Sequence, residues 1–319
     1  MLVSIRNGKD LTKALDLAKN KNLPVIMIGE GSNITWREEG FPGLVIVNKL
    51  SGIKLVNEDD ETATYKIAAG EVWDNAVKTM VNKKLSGIEC LSAIPGTAGA
   101  TPVQNVGAYG QEIADTLISL EAYDRQTESF VTLASKDCGF AYRSSRFKFK
   151  EKGRFFITSI TLKLKKSAPT PPFYAALEDY FKAHNVTKFS PKVLREAVIA
   201  IRRDKLPDPR KVANNGSFFA NPIVEHAVYE EIKTTHPGIV GWEYEGKFKL
   251  SAGWLIEQAG MKGVHDKETG MATSDKNALV LINEKAKSSQ DLIEFRNKII
   301  TAVKEKFGLT LEQEPELLP

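Results

Sequence analysis

Apolar residues near the amino terminus recur at helical spacing. They fall at i, i+3, i+4 and i+7, which places them on one face of a helix: Leu11, Ala14, Leu15 and Ala18. Asp10 stands just before them and is predicted to cap this helix, because a short acidic side chain can accept the first backbone N–H groups. The apolar run at residues 24–28 then predicts a buried strand. Together they indicate a βα pattern.

Further apolar segments in the first half are rich in Val, Ile, Thr and aromatic residues, which favour strands. The predicted strands are residues 44–47, 64–68, 116–123 and 155–164, and a helix is predicted near residues 72–84. Three prolines in residues 165–172 forbid a helix and remove backbone donors, so this segment is predicted to be a loop. The first half is therefore mixed α and β.

The second half carries another helical stripe, formed by Val193, Leu194, Ala197, Val198 and Ile201. Two prolines in residues 206–209 end this helix, and we predict a domain boundary there. Further elements are predicted beyond it: a helix at 251–259, a strand at 278–282, an amphipathic helix at 290–307 and a short strand at 309–312. Ser288 with Asp291 fits a capping box for the long helix, and Gly308 suits its end.

Composition indicates a globular protein. The 319 residues and the hydrophobic content of 42% are enough for about two domains. The net charge is only +4 and the basic residues are scattered, so a small anionic ligand explains them as well as any other partner and nucleic acid is not implied. The chain has neither a run of about 18 apolar residues nor the regions of a signal peptide, so we expect a cytoplasmic protein without a membrane partner.

Two glycine-rich segments are candidate ligand loops. Residues 29–33 (Gly-Glu-Gly-Ser-Asn) directly follow a predicted strand, where successive backbone amides can converge on an anion such as a pyrophosphate. A tight turn is the alternative, since the third glycine of the dinucleotide-binding fingerprint is missing. Residues 94–110 contain four glycines and two prolines, and so long an irregular loop is uncommon unless it binds something.

A third segment, residues 214–222, places the hydroxyl of Ser217 between a glycine turn and two aromatic residues, which suggests a proton donor. Read alone, Asn215-Gly216 is also typical of a hairpin turn with Ser217 starting a strand. Tyr142-Arg143 is likewise either a solvated pair or part of a site. The four histidines and the two cysteines, Cys90 and Cys138, have no metal-ligand spacing, so no metal site is predicted and both cysteines are interpreted as structural.

Six segments in order closely resemble the UDP-N-acetylenolpyruvoylglucosamine reductase family, which makes UDP-N-acetylmuramate for peptidoglycan. They are residues 29–33, 94–110, 140–143, 205–209, 216–222 and 311–314. The similarity runs from about residue 10 to the end. It implies an α+β fold, with a two-subdomain FAD-binding fold like that of the PCMH and vanillyl-alcohol oxidase flavoproteins and a third, substrate-binding α+β domain. The expected divisions are residues 1–59, 60–204, 205–308 and a tail at 309–319.

The resemblance implies that both glycine loops bind FAD. The residues concerned are Gly29, Glu30, Gly31, Ser32, Asn33, Pro95, Gly96, Thr97, Gly99, Ala100 and Thr101. Neither loop contains a histidine that could tether the flavin, so FAD is expected to be held without a covalent bond. NADPH is the expected reductant, and a monomer is the expected state.

The resemblance also implies the catalytic residues. Arg143 is expected to meet the substrate carboxylate, a task suited to a planar bidentate donor, and Ser217 is expected to protonate the alpha carbon after hydride transfer from the flavin. Glu314 is expected to assist at the carboxylate. Glu316 competes for this role, because the tail departs from the family pattern of valine and arginine after the glutamate.

Four further residues match family positions that bind UDP-N-acetylglucosamine enolpyruvate. Tyr142 accompanies the arginine, and Lys205, Asn221 and Tyr174 match the residues that hold the diphosphate in the form of the family that has a tyrosine-bearing loop over the substrate. The usual segment ahead of the first helix is missing, so one edge of the flavin domain is expected to be shorter. Two other functions stay open: a flavin oxidase of alcohols or sugars that uses oxygen, and a binding module without turnover.

Overall fold

A computed structural model describes all residues from Met1 to Pro319. The chain forms two compact units: residues 1–32 with 41–202, and residues 33–40 with 203–319. The change between them after Arg202 lies within a helix, a few residues ahead of the proline pair at which we predicted a boundary. The finer division into residues 1–59, 60–204, 205–308 and 309–319 stays a prediction.

The first unit begins with a parallel three-stranded sheet in the order β1-β4-β2. Its strands are β1 (Leu2–Ile5), β2 (Val25–Ile28) and β4 (Leu44–Asn48), and α1 (Gly8–Asn20) packs its apolar stripe against them. The predicted cap at Asp10 is wrong. Asn7 caps the helix, because its Oδ1 accepts the Asp10 N–H at 2.9 Å. The apolar pattern starts only at Leu11, so it could not locate the polar first turn.

A five-stranded antiparallel sheet follows in the order β10-β9-β11-β6-β5. Its strands are β5 (Ile53–Glu58), β6 (Thr62–Ala68), β9 (Leu117–Asp124), β10 (Ser129–Ala134) and β11 (Phe155–Lys165). The three predicted strands of this sheet are confirmed to within two residues. The edge strands β5 and β10 were not predicted; both contain apolar residues, but none of their residues is buried.

One face of this sheet packs on α2 (Trp73–Asn82), whose predicted position is confirmed. Large residues of this core are fully buried: Ile67, Trp73, Met80, Ile88, Leu91 and Ile113. A small hairpin of β7 (Gly107–Ala108) and β8 (Gln111–Glu112) ends the second glycine loop. The predicted loop at residues 165–172 leads from β11 into α3 (Ala175–Ala183), and α4 (Pro191–Lys205) follows.

The second unit contains two antiparallel sheets and three helices. One sheet has the order β12-β18-β17-β16, with β12 (Asn214–Ser217), β16 (His265–Asp266), β17 (Met271–Thr273) and β18 (Val280–Asn283). The other has the order β13-β15-β14, with β13 (Ile223–Val224), β14 (Gly241–Tyr244) and β15 (Lys247–Leu250). The helices are α5 (His226–Thr235), α6 (Ala252–Gln258) and α7 (Ser289–Phe307).

The termini of α7 agree with the sequence prediction. Ser288 and Asp291 form the capping box, and Gly308 adopts the left-handed conformation at the end of the helix. The final strand was predicted in the wrong place. Residues 309–312 form no strand, whereas β19 (Glu316–Leu318) pairs in parallel with β3 (Ile34–Trp36). Leu311 is buried in the core of this unit instead, which explains the apolar signal that suggested a strand. No helix in the structure is long and apolar enough to cross a membrane.

Candidate active site

The two predicted FAD loops lie directly against each other in the first unit. A Cβ atom added at Gly29 would lie 2.3 Å from Oγ1 of Thr97, and one added at Gly96 would lie 2.9 Å from Oγ of Ser32. Gly96 also has a φ of +111°, which side chains rarely adopt. Glycine is therefore required at both positions for the two backbones to approach this closely.

Backbone hydrogen bonds hold the second loop to the connection between β6 and α2. The carbonyl of Gly96 accepts the Trp73 N–H at 2.9 Å, and Gly99 donates its N–H to the carbonyl of Ala69 at 2.9 Å. A Cβ at Gly99 would lie only 2.4 Å from the Cβ of Ala69. The Gly96 N–H donates to Oε2 of Glu30 at 3.2 Å, so this amide serves the contact between the loops and not a ligand.

The remaining predicted FAD residues line the same region, with one exception. Pro95 and Ala100 are exposed, and Thr101 is buried with its hydroxyl donating to the carbonyl of Ala98 at 2.7 Å. Asn33 instead belongs to the second unit, where its Nδ2 donates to the carbonyl of Glu314 at 3.4 Å. The apposed backbones and small side chains of the two loops fit a phosphorylated dinucleotide such as FAD, because they permit close approach of a ligand.

Arg143 is fixed against the end of the second glycine loop. Its Nη2 donates to the carbonyl of Gly107 at 2.7 Å and its Nη1 to the carbonyl of Asn105 at 3.3 Å. The guanidinium also stacks over the Tyr142 ring, with 4.7 Å from the carbon to the ring centroid. A Cβ at Gly107 would lie 2.7 Å from Nη1, so glycine leaves room for the arginine. The structure thus brings the predicted Tyr-Arg pair to the predicted flavin loop.

Two features of Arg143 could not be read from the sequence. Its φ is +103°, and its carbonyl accepts a hydrogen bond from Lys148 at 3.0 Å. Oε1 of Glu112 lies 3.8 Å from Nη1 of Arg143. The other oxygen of this carboxylate, Oε2, accepts a hydrogen bond from Nδ2 of Asn105 at 2.7 Å. Glu112 had no sequence signal, because it is one polar residue in a short hairpin. Its carboxylate helps to balance the charge of the arginine.

Tyr174 lies at the start of α3, as its capping residue. Its ring packs edge-to-face on Tyr109 of the second glycine loop, with 5.8 Å between the ring centroids. Tyr174 is 42% exposed, and partial burial raises the pKa of its hydroxyl above the usual value. The tyrosine therefore stays a neutral hydrogen-bond donor at neutral pH, beside the loop predicted to bind FAD.

Ser217 lies in the second unit at the end of β12, where it is exposed next to the buried Phe218 and Phe219. The hairpin-turn alternative is wrong, because residues 214–217 are a strand that pairs with β18, with a register shift between Asn214 and Ser217. Gly216 supports this irregularity with a φ of +71°. The shift sets the orientation of the backbone just before Ser217.

The carboxyl-terminal segment pairs with the residues that follow Ser217. The Glu314 N–H donates to the carbonyl of Phe218 at 2.9 Å, and Gln313 forms a bridge with Phe219. Glu316 pairs instead with Ile34, and its N–H donates to the carbonyl of Asn33. Of the two competing glutamates, Glu314 is therefore the one whose backbone is bonded to the residue next to Ser217.

The other two predicted substrate residues are each associated with the end of a helix. Oδ1 of Asn221 accepts the N–H of Ala252, the first residue of α6, at 2.9 Å. Lys205 is the exposed last residue of α4. No group of three His, Cys, Asp or Glu residues that could hold a metal ion occurs in the structure.

Comparisons with known proteins match both parts of the chain. Residues 208–318 match the family model of the UDP-N-acetylenolpyruvoylglucosamine reductase C-terminal domain, and residues 1–133 match that of an FAD-binding domain. The reductase of this name from Ralstonia nicotianae is 39% identical, covering 98% of this chain and 92% of its own. The one from Alcanivorax borkumensis is 40% identical, covering 94% and 86%.

A solved structure supports the fold. The crystal structure of UDP-N-acetylenolpyruvylglucosamine reductase from Thermus caldophilus has a TM-score of 0.68 at 22% identity and covers 100% of this chain and 92% of its own. The predicted fold class is confirmed: an α+β FAD-binding domain of the PCMH type with a C-terminal domain of the reductase type.

Proposed function

The chain belongs to the UDP-N-acetylenolpyruvoylglucosamine reductase family, and we propose from this how its residues perform the reaction. As a member, it is an FAD-dependent UDP-N-acetylmuramate dehydrogenase of peptidoglycan precursor synthesis. The proposed reaction is reduction of the enolpyruvyl ether of UDP-N-acetylglucosamine enolpyruvate at the expense of NADPH. The main structural support is the hydrogen bond from the guanidinium of Arg143 to the carbonyl of Gly107, which fixes the arginine at the end of the second glycine loop.

The two glycine loops would hold FAD without a covalent bond. Gly29, Gly31 and Ser32 would contribute from the first loop and Gly96, Thr97 and Gly99 from the second. When bound, FAD supplies the redox chemistry, taking electrons from NADPH and passing them to the substrate as hydride. The contacts between the loops support this assignment. They hold the two backbones close to each other before a ligand binds, so a dinucleotide does not have to order them.

Arg143 would bind the substrate carboxylate. Reduction of the enol ether builds negative charge on the alpha carbon and the carboxylate, and a fixed guanidinium stabilises that charge without reorganising. Two carbonyl hydrogen bonds and the Tyr142 ring already fix its orientation. The planar guanidinium would act by its charge and not by proton transfer.

Ser217 would donate the proton to the alpha carbon. A serine is a weak acid, but a carbanion-like acceptor is a strong base, so the transfer is feasible in a preorganised polar site. Glu314 would assist at the carboxylate. The hydrogen bond from its backbone to Phe218 supports this choice over Glu316, because Phe218 directly follows Ser217.

Four residues would bind the rest of the substrate. Tyr142 would accompany Arg143, while Tyr174, Lys205 and Asn221 would hold the diphosphate, as in the form of the family with a tyrosine-bearing loop. The exposed position of Lys205 and the half-exposed ring of Tyr174 leave both side chains accessible to a ligand.

An anaerobic spectrum of the purified protein tests this function. Flavin absorbance should be present, should bleach on addition of NADPH, and should recover on addition of UDP-N-acetylglucosamine enolpyruvate. Failure to recover with this substrate would contradict the proposed reaction. Rapid recovery in air without the substrate would indicate the oxidase, and absence of any bleaching would indicate a binding module.

A further inference from the structure

The second glycine loop is bordered by two residues with left-handed backbone that are not glycine. Ala93, just ahead of the loop, has a φ of +58°, and Tyr109, near its end, has a φ of +49°. Such a conformation is unfavourable for a residue with a side chain and persists only where neighbouring contacts hold it. The contacts of these two residues therefore set the conformation of the loop.

Asp74, in the first turn of α2, holds the start of the loop. Its Oδ1 accepts the Ala93 N–H at 2.6 Å. The same carboxylate accepts two parallel hydrogen bonds from Arg195 of α4, at 2.6 and 2.8 Å. The Arg195 side chain is only 11% exposed. Burial opposes ionisation of Asp74, but the hydrogen bonds from Arg195 and Ala93 outweigh it and lower its pKa.

The same helix holds the end of the loop. Arg202 lies two turns after Arg195 on the same face of α4 and interacts electrostatically with Tyr109, whose ring packs against the apolar core to which this helix contributes. The Tyr109 ring in turn packs on Tyr174. One face of α4 therefore reaches both ends of the loop and, through Tyr109, the tyrosine proposed to cover the substrate.

A small apolar core makes α3, α4 and the start of the loop one packed body. Its buried residues are Cys90, Leu177, Phe181, Leu194, Ala197, Val198 and Ile201. Cys90 lies in the short 3-10 turn that leads into Ala93, and α3 begins directly after Tyr174. A shift of α4 would therefore displace both the loop and Tyr174.

We propose that Arg195 is a positioning residue: through Asp74 it couples the conformation of the second glycine loop to the placement of Tyr174. The inference rests on the proposed function, since FAD is the ligand assigned to the loop and the substrate diphosphate the ligand assigned to Tyr174. A single substitution in α4, at a residue that neither ligand is proposed to contact, then weakens the binding of both.

The test compares holoenzymes of the wild type, Arg195→Gln, Arg195→Lys and the control Lys192→Gln. Lys192 is on the same helix, so Lys192→Gln removes the same positive charge from α4. Its side chain is 76% exposed and its Nζ lies 3.9 Å from Oε1 of Glu196, so the control breaks only a weak surface ion pair. Arg195→Gln should raise both the Kd for FAD, from fluorescence released on dilution, and the substrate KM at saturating FAD by at least about fivefold, with kcat within about twofold. Arg195→Lys keeps the charge without the planar fork and should show smaller increases.

The coupling by Arg195 is contradicted if the Kd for FAD and the substrate KM of Arg195→Gln both equal those of Lys192→Gln, or if only one of the two constants rises. If Arg195→Gln does not fold, Arg195→Lys decides in the same way. A wild type that binds FAD but does not reoxidise its reduced flavin with UDP-N-acetylglucosamine enolpyruvate contradicts the proposed function instead, because FAD binding by the variants can still be compared.

Discussion

The backbone N–H of Glu314 donates to the carbonyl of Phe218 at 2.9 Å, next to Ser217. This bond anchors the carboxyl-terminal segment to the strand that ends in the proposed proton donor. Ala220 extends the pairing by donating to the carbonyl of Glu312 at 2.9 Å. Two residues from distant parts of the sequence are thereby held in one local structure.

Substitution Ser217→Ala should separate the two half-reactions. Flavin reduction by NADPH should proceed at the wild-type rate, while flavin reoxidation by the substrate should slow by about 10²- to 10⁴-fold, the usual contribution of a general acid. Anaerobic stopped-flow absorbance measures both steps. Ser289→Ala, a serine of the same unit that bonds to Glu38, is the control. Equal losses in both steps would reject Ser217 as proton donor.

The two competing glutamates can be distinguished by amide substitutions. Glu314→Gln should lower kcat by at least about tenfold, because it removes the carboxyl group next to the Ser217 strand. The kcat of Glu316→Gln should stay within about twofold of the wild-type value, because Glu316 lies in β19 and pairs with Ile34 of β3. Steady-state turnover at saturating substrate gives both values. The reverse order would assign the role to Glu316.

Substitution Gly29→Ala should disrupt the contact between the two glycine loops. The new methyl group would lie 2.3 Å from Oγ1 of Thr97, an overlap that costs about 1–3 kcal/mol or shifts the loop. Flavin content after purification and Tm should both fall, and adding Thr97→Ala should restore part of the lost Tm. Gly238→Ala is the control, because a Cβ there meets nothing within 4 Å. Unchanged flavin content in Gly29→Ala would contradict the assignment of the two glycine loops to FAD binding.

Acid should weaken the first unit through Asp124. Arg154 donates two hydrogen bonds to this buried carboxylate, at 2.9 and 2.7 Å, and these lower its pKa to about 2. Because the folded pKa lies below the unfolded value of 3.8, the stabilisation is complete above about pH 4 and is lost as the pH falls toward 2. Asp124→Asn should therefore cost up to roughly 2 kcal/mol at pH 7 and progressively less below pH 4.

Urea unfolding of wild type and Asp124→Asn at several pH values measures this difference. Glu128→Gln is the control, because its pair with Lys19 is exposed on both sides and should contribute little at any pH. A difference between wild type and Asp124→Asn that does not shrink toward pH 2 would contradict the assignment to the carboxylate.

Local pattern was sufficient for most of the helices and for several buried strands. The apolar spacing from Leu11 to Ala18 predicted α1, and Ser288, Asp291 and Gly308 predicted the ends of α7. These features involve neighbours a few residues apart, so their energetics are present in any window of the sequence. The edge strands β5 and β10 were missed, and they are held by backbone pairing with β6 and β9, which lie outside each edge strand's own stretch of sequence.

The sequence by itself determined the two glycine loops, the Tyr142-Arg143 pair, Ser217 and, through their order, the family. Only the tertiary structure decided how these segments are held. It placed Arg143 on the carbonyl of Gly107, paired Glu314 with Phe218, and replaced the predicted strand at 309–312 by one at 316–318. The reason is that hydrogen bonds between distant residues depend on which partner the folded chain supplies, and no local window of sequence contains that partner.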